Sequence, residues 1–203
     1  MKLHYELKRD NDERLSTCIR SYPDIVPEIL CKELIEFFEK SITFRTDDHR
    51  KQAQEMQLMG DPRPEAVAYK QILYDLIYPL GERYEKDMYQ LCHEDYKPQD
   101  IPLSTAFKTG FRSLQIQKYT PEDKGYPAVH VESGSEHTAK YLALIVFLNN
   151  VNKGGETVFP MGGTAITPEA GKVALWPTGL PFYHCGNKSG SDKYILTSWF
   201  EFL

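Results

Sequence analysis

The chain has 203 residues, a length that fits one large domain, and apolar residues make up 41% of it. Aromatic residues account for 12%, which is enough to fill a core and excludes a disordered chain. With 24 Lys and Arg against 29 Asp and Glu, the formal charge is −5. This acidic balance disfavours a nucleic-acid partner, because binding to phosphates needs a dominant basic face.

The first residues contain no apolar segment of the kind found in signal peptides. No run anywhere approaches the roughly 18 apolar residues of a membrane span. The four cysteines are far apart and form no C-x-x-C pair: Cys18, Cys31, Cys92 and Cys185. The sequence therefore predicts reduced thiols, a cytoplasmic location and no membrane partner.

The N-terminal half has the pattern of helices. Pro27 suits the first turn of a helix entered from Asp24, with apolar residues following through Phe38. A second helix is predicted over about 64–92, where apolar residues recur every three or four positions and form a packing face. Pro79 lies inside this pattern and is predicted to kink the helix or break it in two.

Two segments of this half predict no regular element. Residues 43–61 are polar and are interpreted as a loop. Residues 94–112 contain two prolines and one glycine. Long irregular segments of compact domains are often lids over functional sites. A lid and an ordinary connector both remain open for this segment.

From residue 113 the apolar period becomes that of strands. Glycine or proline separates most of eight short candidates, at 114–119, 128–131, 141–149, 156–159, 164–167, 172–176, 181–185 and 193–202. So many short strands predict a barrel or jelly roll. The predicted fold class is α+β in a single domain spanning 1–203, with 1–112 as mainly helical support and 113–203 as the β core.

Three residues of this β half have the chemistry of a metal site. His130 and Glu132 are two positions apart on a predicted strand, so both side chains leave the same face. His184 lies near the end of another predicted strand. Two imidazoles and one carboxylate form the facial triad of non-haem Fe(II) enzymes, which leaves coordination positions open. An H-x-E pair alone is more typical of a solvated face.

Further residues accompany the triad in a recognisable order. Tyr119 precedes it, and Gly154-Gly155-Glu156 and Trp176 separate its two halves, while Lys193 and Trp199 follow His184. With these motifs, residues 114–201 resemble the 2-oxoglutarate/Fe(II) dioxygenases of the prolyl 4-hydroxylase type. The resemblance implies a double-stranded β-helix, a jelly-roll and cupin-like fold. It departs from the family at Glu132, where aspartate is usual.

The resemblance implies that His130, Glu132 and His184 hold Fe(II). It also implies that Lys193 is the basic residue that binds the distal carboxylate of 2-oxoglutarate. A buried carboxylate needs a cation, and no arginine follows Arg112 in the sequence. Thr197, on the same predicted face as Lys193, is expected to add a hydroxyl. Tyr119 resembles the family's tyrosine that binds the co-substrate, although a core tyrosine fits equally well.

The activity implied by the resemblance is hydroxylation of an unactivated C–H bond. Fe(II), 2-oxoglutarate and O2 are the implied cofactor and co-substrates, succinate and CO2 are the products, and ascorbate is the expected reductant. The implied substrate is a prolyl residue of a peptide or protein, at a pocket mouth formed by 94–112, 120–127 and 133–140. Two alternatives stay open: an oxygenase of a free amino acid or small metabolite, and a non-catalytic cupin-like binding barrel, which Glu132 favours. The sequence assigns no oligomeric state.

Overall fold

We describe the fold from a computed structural model, which places residues 13–92, 109–134 and 139–202. Most of the segment predicted as a lid or connector lies outside these residues. Only its last part, 109–112, is described, and it forms the beginning of a long strand.

Three helices and eleven strands make up the described residues, and the strands form two sheets. The helices are α1 (Glu13–Thr17), α2 (Glu28–Glu39) and α3 (Pro64–Cys92). The strands are β1 (Arg20–Tyr22), β2 (Phe44–Asp47), β3 (Gln52–Gln57), β4 (Thr109–Tyr119), β5 (Tyr126–His130), β6 (Lys140–Phe147), β7 (Thr157–Phe159), β8 (Thr164–Ile166), β9 (Val173–Pro177), β10 (His184–Gly186) and β11 (Lys193–Phe202).

The two sheets differ in size. The major sheet has seven strands in the order β1-β9-β6-β11-β4-β3-β2, and the minor sheet has four in the order β5-β10-β7-β8. All pairings are antiparallel. This is the double-stranded β-helix with supporting helices that the sequence predicted, in the α+β class.

Side chains of the major sheet alternate between two apolar clusters. On the central strand β11, Leu196 and Phe200 pack into a cluster with the helices, whereas Ile195 packs into a second cluster with residues of the minor sheet, such as Phe159. Successive side chains of a strand leave opposite faces, so each strand serves both clusters. The major sheet is therefore buried on both faces.

Helices α2 and α3 cover one face of the major sheet. Buried residues of α2 and α3, among them Phe38 and Ile77, belong to the same cluster as Leu196. Gly81 in α3 is required by this packing, because an added Cβ would lie 2.5 Å from the ring of Phe200. Of the two predicted effects of Pro79, the break into two helices does not occur, since α3 is continuous over 29 residues. Its apolar stripe is buried on both sides of the proline, which holds the two halves together.

The loop predicted over 43–61 is also wrong. Strands β2 and β3 lie within it, and β3 pairs with β4, which extends the major sheet. Glu55 of β3 is buried, and its carboxylate is 2.8 Å from the ammonium of Lys51. The strand was not recognised because backbone pairing with β4, rather than apolar alternation, holds this polar segment in the sheet.

The predicted strand boundaries hold best in the long strands. β11 has the bounds predicted for it, while the strand predicted over 181–185 begins only at His184. Before it, the amides of Phe182 and Tyr183 donate to the carbonyls of Gly179 and Pro181 in a turn. Among the described helices, none combines the length and the apolar character needed to cross a bilayer.

Candidate metal centre

Two short strands of the minor sheet bring the predicted histidines together. His130 ends β5 and His184 begins β10, and the two are direct partners across the antiparallel pair. Side chains of directly opposed residues leave the same face, which places the imidazole centroids 4.3 Å apart. The register of this strand pair therefore brings together two histidines that are 54 positions apart in the sequence.

Glu132 reaches the same place from just beyond β5. The prediction put it on the strand with His130, but the strand ends at His130. The backbone amides of Glu132 and Ser133 both donate to the carbonyl of Thr178, which fixes the loop. The predicted outcome is confirmed nevertheless, since the Glu132 carboxylate lies on the side of the two imidazoles.

The three ligand-type atoms converge on one point. Oε1 of Glu132 is 3.4 Å from Nε2 of His130 and 3.2 Å from Nε2 of His184. One donor atom from each residue lies within 4.8 Å of the others. The Nδ1 atoms point away, towards the carbonyls of Ala128 and Phe182 at 2.8 and 3.1 Å. Because a carbonyl only accepts, each Nδ1 donates to it, and this anchoring turns Nε2 of each ring towards the centre.

This arrangement fits a divalent cation. Burial acts to raise the pKa of Glu132, but hydrogen bonds and charge from His130 and His184 outweigh it and hold the pKa below its usual range. The carboxylate is therefore ionised and available to a metal ion. The donor set of two nitrogens and one oxygen is that of non-haem Fe(II) sites.

The triad opens on a cavity of about 430 Å³ between the two sheets. Lys193 lines it and is only 4% exposed. Burial lowers the pKa of its ammonium to about 8. Its Nζ donates to the carbonyl of Gly155 at 2.6 Å, and no carboxylate of the described residues forms an ion pair with it. A buried cation facing a cavity without an acidic partner fits a ligand that carries a carboxylate.

The glycine pair before β7, Gly154-Gly155, makes the hydrogen bond from Lys193 to the Gly155 carbonyl possible. Gly155 has a φ of +75°, a conformation that favours glycine, and the turn was predicted from the sequence. The prediction gave this motif no role at the site. In the structure its carbonyl anchors the ammonium of Lys193.

A polar network lies on the cavity wall beside Lys193. The hydroxyl of the buried Tyr119 donates to Oε1 of Gln117 at 2.6 Å, and the amide of Gln117 donates to the hydroxyl of Thr197 at 3.1 Å. Burial raises the pKa of Tyr119 far above its usual value, so it stays a neutral donor. The structure thus brings Tyr119 and Thr197 to the cavity, as predicted. Gln117 was missed, although its position two residues before Tyr119 on one strand face could have indicated it.

Trp199 also contacts the triad, which sequence reasoning missed. Its indole Nε1 donates to Oε2 of Glu132 at 2.9 Å. Trp199 lies six residues after Lys193 on β11, and this even separation places both side chains on the cavity face. Strand periodicity could therefore have indicated the contact, although it gives no information about the partner.

The predicted mouth is partly described. Gly125 and Tyr126 come from 120–127, and Lys140 comes from 133–140. Arg50 and Lys51, from the segment predicted as a loop, line the cavity as well.

Comparisons with known proteins agree with this geometry. Residues 114–201 match the family model of the 2OG-Fe(II) oxygenase superfamily. No sequence match was found among curated proteins. A viral collagen prolyl hydroxylase from Paramecium bursaria Chlorella virus-1 has a similar structure, with a TM-score of 0.61 and 19% identity over 92% of this chain and 96% of that one. A Pseudomonas putida prolyl-4-hydroxylase gives a TM-score of 0.64 and 14% identity over 91% and 92%.

A third solved structure is a prolyl hydroxylase from Trichoplax adhaerens in complex with a peptide fragment of a hypoxia inducible factor degradation domain. It gives a TM-score of 0.61 and 14% identity over 94% of this chain and 90% of that one. Identities this low establish a shared fold. The family model relates residues 114–201 to a superfamily whose name gives 2-oxoglutarate and Fe(II).

Proposed function

We propose that the chain hydroxylates a prolyl residue of a peptide or protein substrate, because residues 114–201 match the family model of the 2OG-Fe(II) oxygenase superfamily. In this proposal His130, Glu132 and His184 hold the iron, and Lys193 binds the distal carboxylate of 2-oxoglutarate. The observation that carries it is the presence, in one cavity, of this triad and of a buried lysine that forms no ion pair among the described residues.

The histidines support the proposal through their anchoring. Hydrogen bonds from Nδ1 to the carbonyls of Ala128 and Phe182 hold both rings with Nε2 towards one centre. Tyr126 stacks on His130 with centroids 4.1 Å apart, and Trp176 meets the ring of His184 edge-on at 4.9 Å. Rings held in this way lose little freedom when a metal binds, which favours affinity and a defined geometry.

Lys193 supports the choice of co-substrate. A dicarboxylic 2-oxo acid has one end suited to a metal and a second carboxylate several bonds away. The buried ammonium of Lys193 offers that second carboxylate a charge-assisted hydrogen bond in a site of low dielectric. Tyr119 and Thr197 line the same cavity, and the hydroxyl of Thr197, which accepts from Gln117, keeps its own O–H to donate.

Together, the iron and 2-oxoglutarate would supply the oxidising chemistry, with release of succinate and CO2. The chain's own residues orient the ligands and bind the distal carboxylate. Phe147 and Phe159, which are buried between the sheets, exclude water from this region. Water exclusion strengthens the interaction between Lys193 and its anion.

The prolyl substrate rests on the structural neighbours. Proteins named as prolyl hydroxylases share the fold over at least nine-tenths of this chain, and one of them was solved with a peptide fragment. At the mouth, Tyr126 is partly exposed beside His130 and offers an aromatic surface to a proline ring. A peptide lying there would place a prolyl carbon near the triad.

The test uses the purified full chain with Fe(II), 2-oxoglutarate, ascorbate and air. A panel of proline-containing peptides, matched peptides with alanine in place of proline, and free amino acids including proline is read by mass spectrometry, with succinate measured in parallel. We expect one added oxygen in proline peptides only, accompanied by an equal amount of succinate.

Two other outcomes would contradict the proposal in different ways. Oxygen added to a free amino acid but to no peptide would favour the small-metabolite oxygenase. Fe(II) binding without succinate formation, with or without substrate, would favour a non-catalytic binding barrel.

A further inference from the structure

The two oxygens of the Glu132 carboxylate have different partners. Oε1 faces Nε2 of both histidines at 3.2–3.4 Å, whereas Oε2 accepts a hydrogen bond from the indole of Trp199 at 2.9 Å. Glu132 is largely buried, and the hydrogen bond has good length for an N–H donor and a charged acceptor. The carboxylate is therefore held with one oxygen towards the metal centre and the other away from it.

This asymmetry matters because a carboxylate can bind a metal through one oxygen or two. The site needs open coordination positions for the 2-oxo acid and O2, and a second carboxylate oxygen would occupy one of them. Glutamate has one more methylene than the aspartate usual in this family, so its carboxylate can turn more freely at the end of a longer side chain. A glutamate ligand therefore has greater need of a partner for its second oxygen.

We infer that Trp199 is a positioning residue that restricts Glu132 to single-oxygen ligation and so keeps a coordination position free for the 2-oxo acid. This inference rests on the iron site of the proposed function. It explains how a glutamate can serve as the carboxylate ligand of this chain at a position where aspartate is usual.

The surroundings of Trp199 hold the indole in place. Trp199 lies on β11, which is paired on both sides, with β4 and with β6. The ammonium of Lys140 lies 3.5 Å from the centroid of the Trp199 ring. A cation over the ring face withdraws electron density from the indole and makes its N–H a stronger donor. Lys193 lies on the same strand. One rigid element therefore positions both Trp199, which holds the Glu132 carboxylate, and Lys193, which binds the co-substrate.

The test compares Trp199→Phe with Tyr194→Phe, a matched control on the same strand but outside the cavity. The hydroxyl of Tyr194 donates to Oε1 of Glu39 at 2.6 Å. Both variants lose one hydrogen bond from an aromatic side chain to a carboxylate and keep an aromatic ring. Under anaerobic conditions, Fe(II) affinity is measured by competition with a chelator, and 2-oxoglutarate is titrated by the visible charge-transfer absorption of its chelate with Fe(II).

We expect Trp199→Phe to bind Fe(II) within a few-fold of the wild-type affinity. Its 2-oxoglutarate titration should shift about 10–100-fold to higher concentration, or the absorption should be lost, as for residues that orient metal ligands. Tyr194→Phe should change neither quantity by more than a few-fold. Wild-type titration in Trp199→Phe, or an equal shift in Tyr194→Phe, would overturn the inference.

A double-mutant cycle with Glu132→Asp gives a second measurement. Aspartate is shorter and cannot keep its contacts to both the metal centre and Trp199, so Trp199→Phe should shift the 2-oxoglutarate titration little in that background. Additive shifts would contradict the inference. If the wild-type chain binds no Fe(II), the proposed function fails as well, whereas a normal wild-type titration that Trp199→Phe leaves unchanged removes only this inference.

Discussion

The two faces of the major sheet differ in what they bury. The helix-covered face buries apolar side chains, with Leu196 and Phe200 of β11 packed against residues of α2 and α3. The face towards the minor sheet carries Lys193, Thr197 and Trp199 on the same strand, and all three line the cavity. Alternating residues of one strand therefore serve different purposes. The helix-covered face buries an apolar cluster alone, whereas the other face combines an apolar cluster with polar groups in a buried cavity.

The polar face depends on the apolar one. Buried polar and charged groups such as Lys193 and Glu132 cost free energy unless they are paired, and a site without its ligands leaves part of that cost uncompensated. The dense packing on the helix side offsets the cost and fixes the strands to which the polar groups are attached. Substitutions on the two faces should therefore separate stability from ligand binding.

The largest expected effect is on the cavity side, at the metal. His184→Ala removes one of three donor atoms, and we expect Fe(II) affinity to fall by more than about 100-fold, beyond what the loss of a residue that orients ligands costs. Fe(II) affinity is measured anaerobically by competition with a chelator. His49→Ala, an exposed histidine outside the cavity, is the matched control. Wild-type iron affinity in the His184 variant would show that the triad is not the metal site.

The second-largest effect is expected on the helix-covered face of the major sheet. Leu196→Ala removes a fully buried side chain, and we expect it to lower the free energy of unfolding by about 2–5 kcal/mol. Iron affinity of the folded fraction should stay unchanged, because Leu196 faces away from the cavity. Urea denaturation followed by circular dichroism measures the first quantity. Thr197→Ala, the next residue on the cavity face, should cost less than about 1.5 kcal/mol, and an equal cost for both would contradict the division between the faces.

A smaller effect is expected for the co-substrate. Lys193→Met keeps most of the side-chain volume but removes the ammonium, and we expect the Kd for 2-oxoglutarate to rise by roughly 10–100-fold, from the loss of a charged hydrogen bond worth about 1.5–3 kcal/mol. Iron affinity should not change. Lys118→Met is the matched control, since Lys118 pairs with Glu39 and Asp192 outside the cavity.

The same lysine should make 2-oxoglutarate binding depend on pH. Burial lowers its pKa to about 8, so the ammonium is mostly charged at pH 7 and loses its proton as the pH rises above 8. The affinity of the wild-type chain for 2-oxoglutarate should therefore fall above pH 8. In Lys193→Met this dependence should be absent, and an unchanged pH profile in the variant would assign it to another group.

Much of the fold could be predicted from local patterns. Strand β11 and helix α3 were predicted with their observed bounds, because long elements repeat their apolar period often enough to be recognised. Strands β2 and β3 were missed, since β3 is held by its pairing with β4, and β2 by its pairing with β3, rather than by an apolar pattern of their own. The late start of β10 at His184 depends on the turn before it, which no apolar pattern encodes.

The candidate site, like the fold, could be predicted only in part from the sequence. The sequence determined which side chains are present and, through the period of two along a strand, that Lys193, Thr197 and Trp199 share one face. Only the tertiary structure decided that His130 stands opposite His184, that Gly155 anchors the ammonium, and that Trp199 meets Glu132. Local periodicity is set by neighbouring residues along the backbone. Contacts between distant strands depend instead on the register and packing of the whole chain, to which many residues contribute.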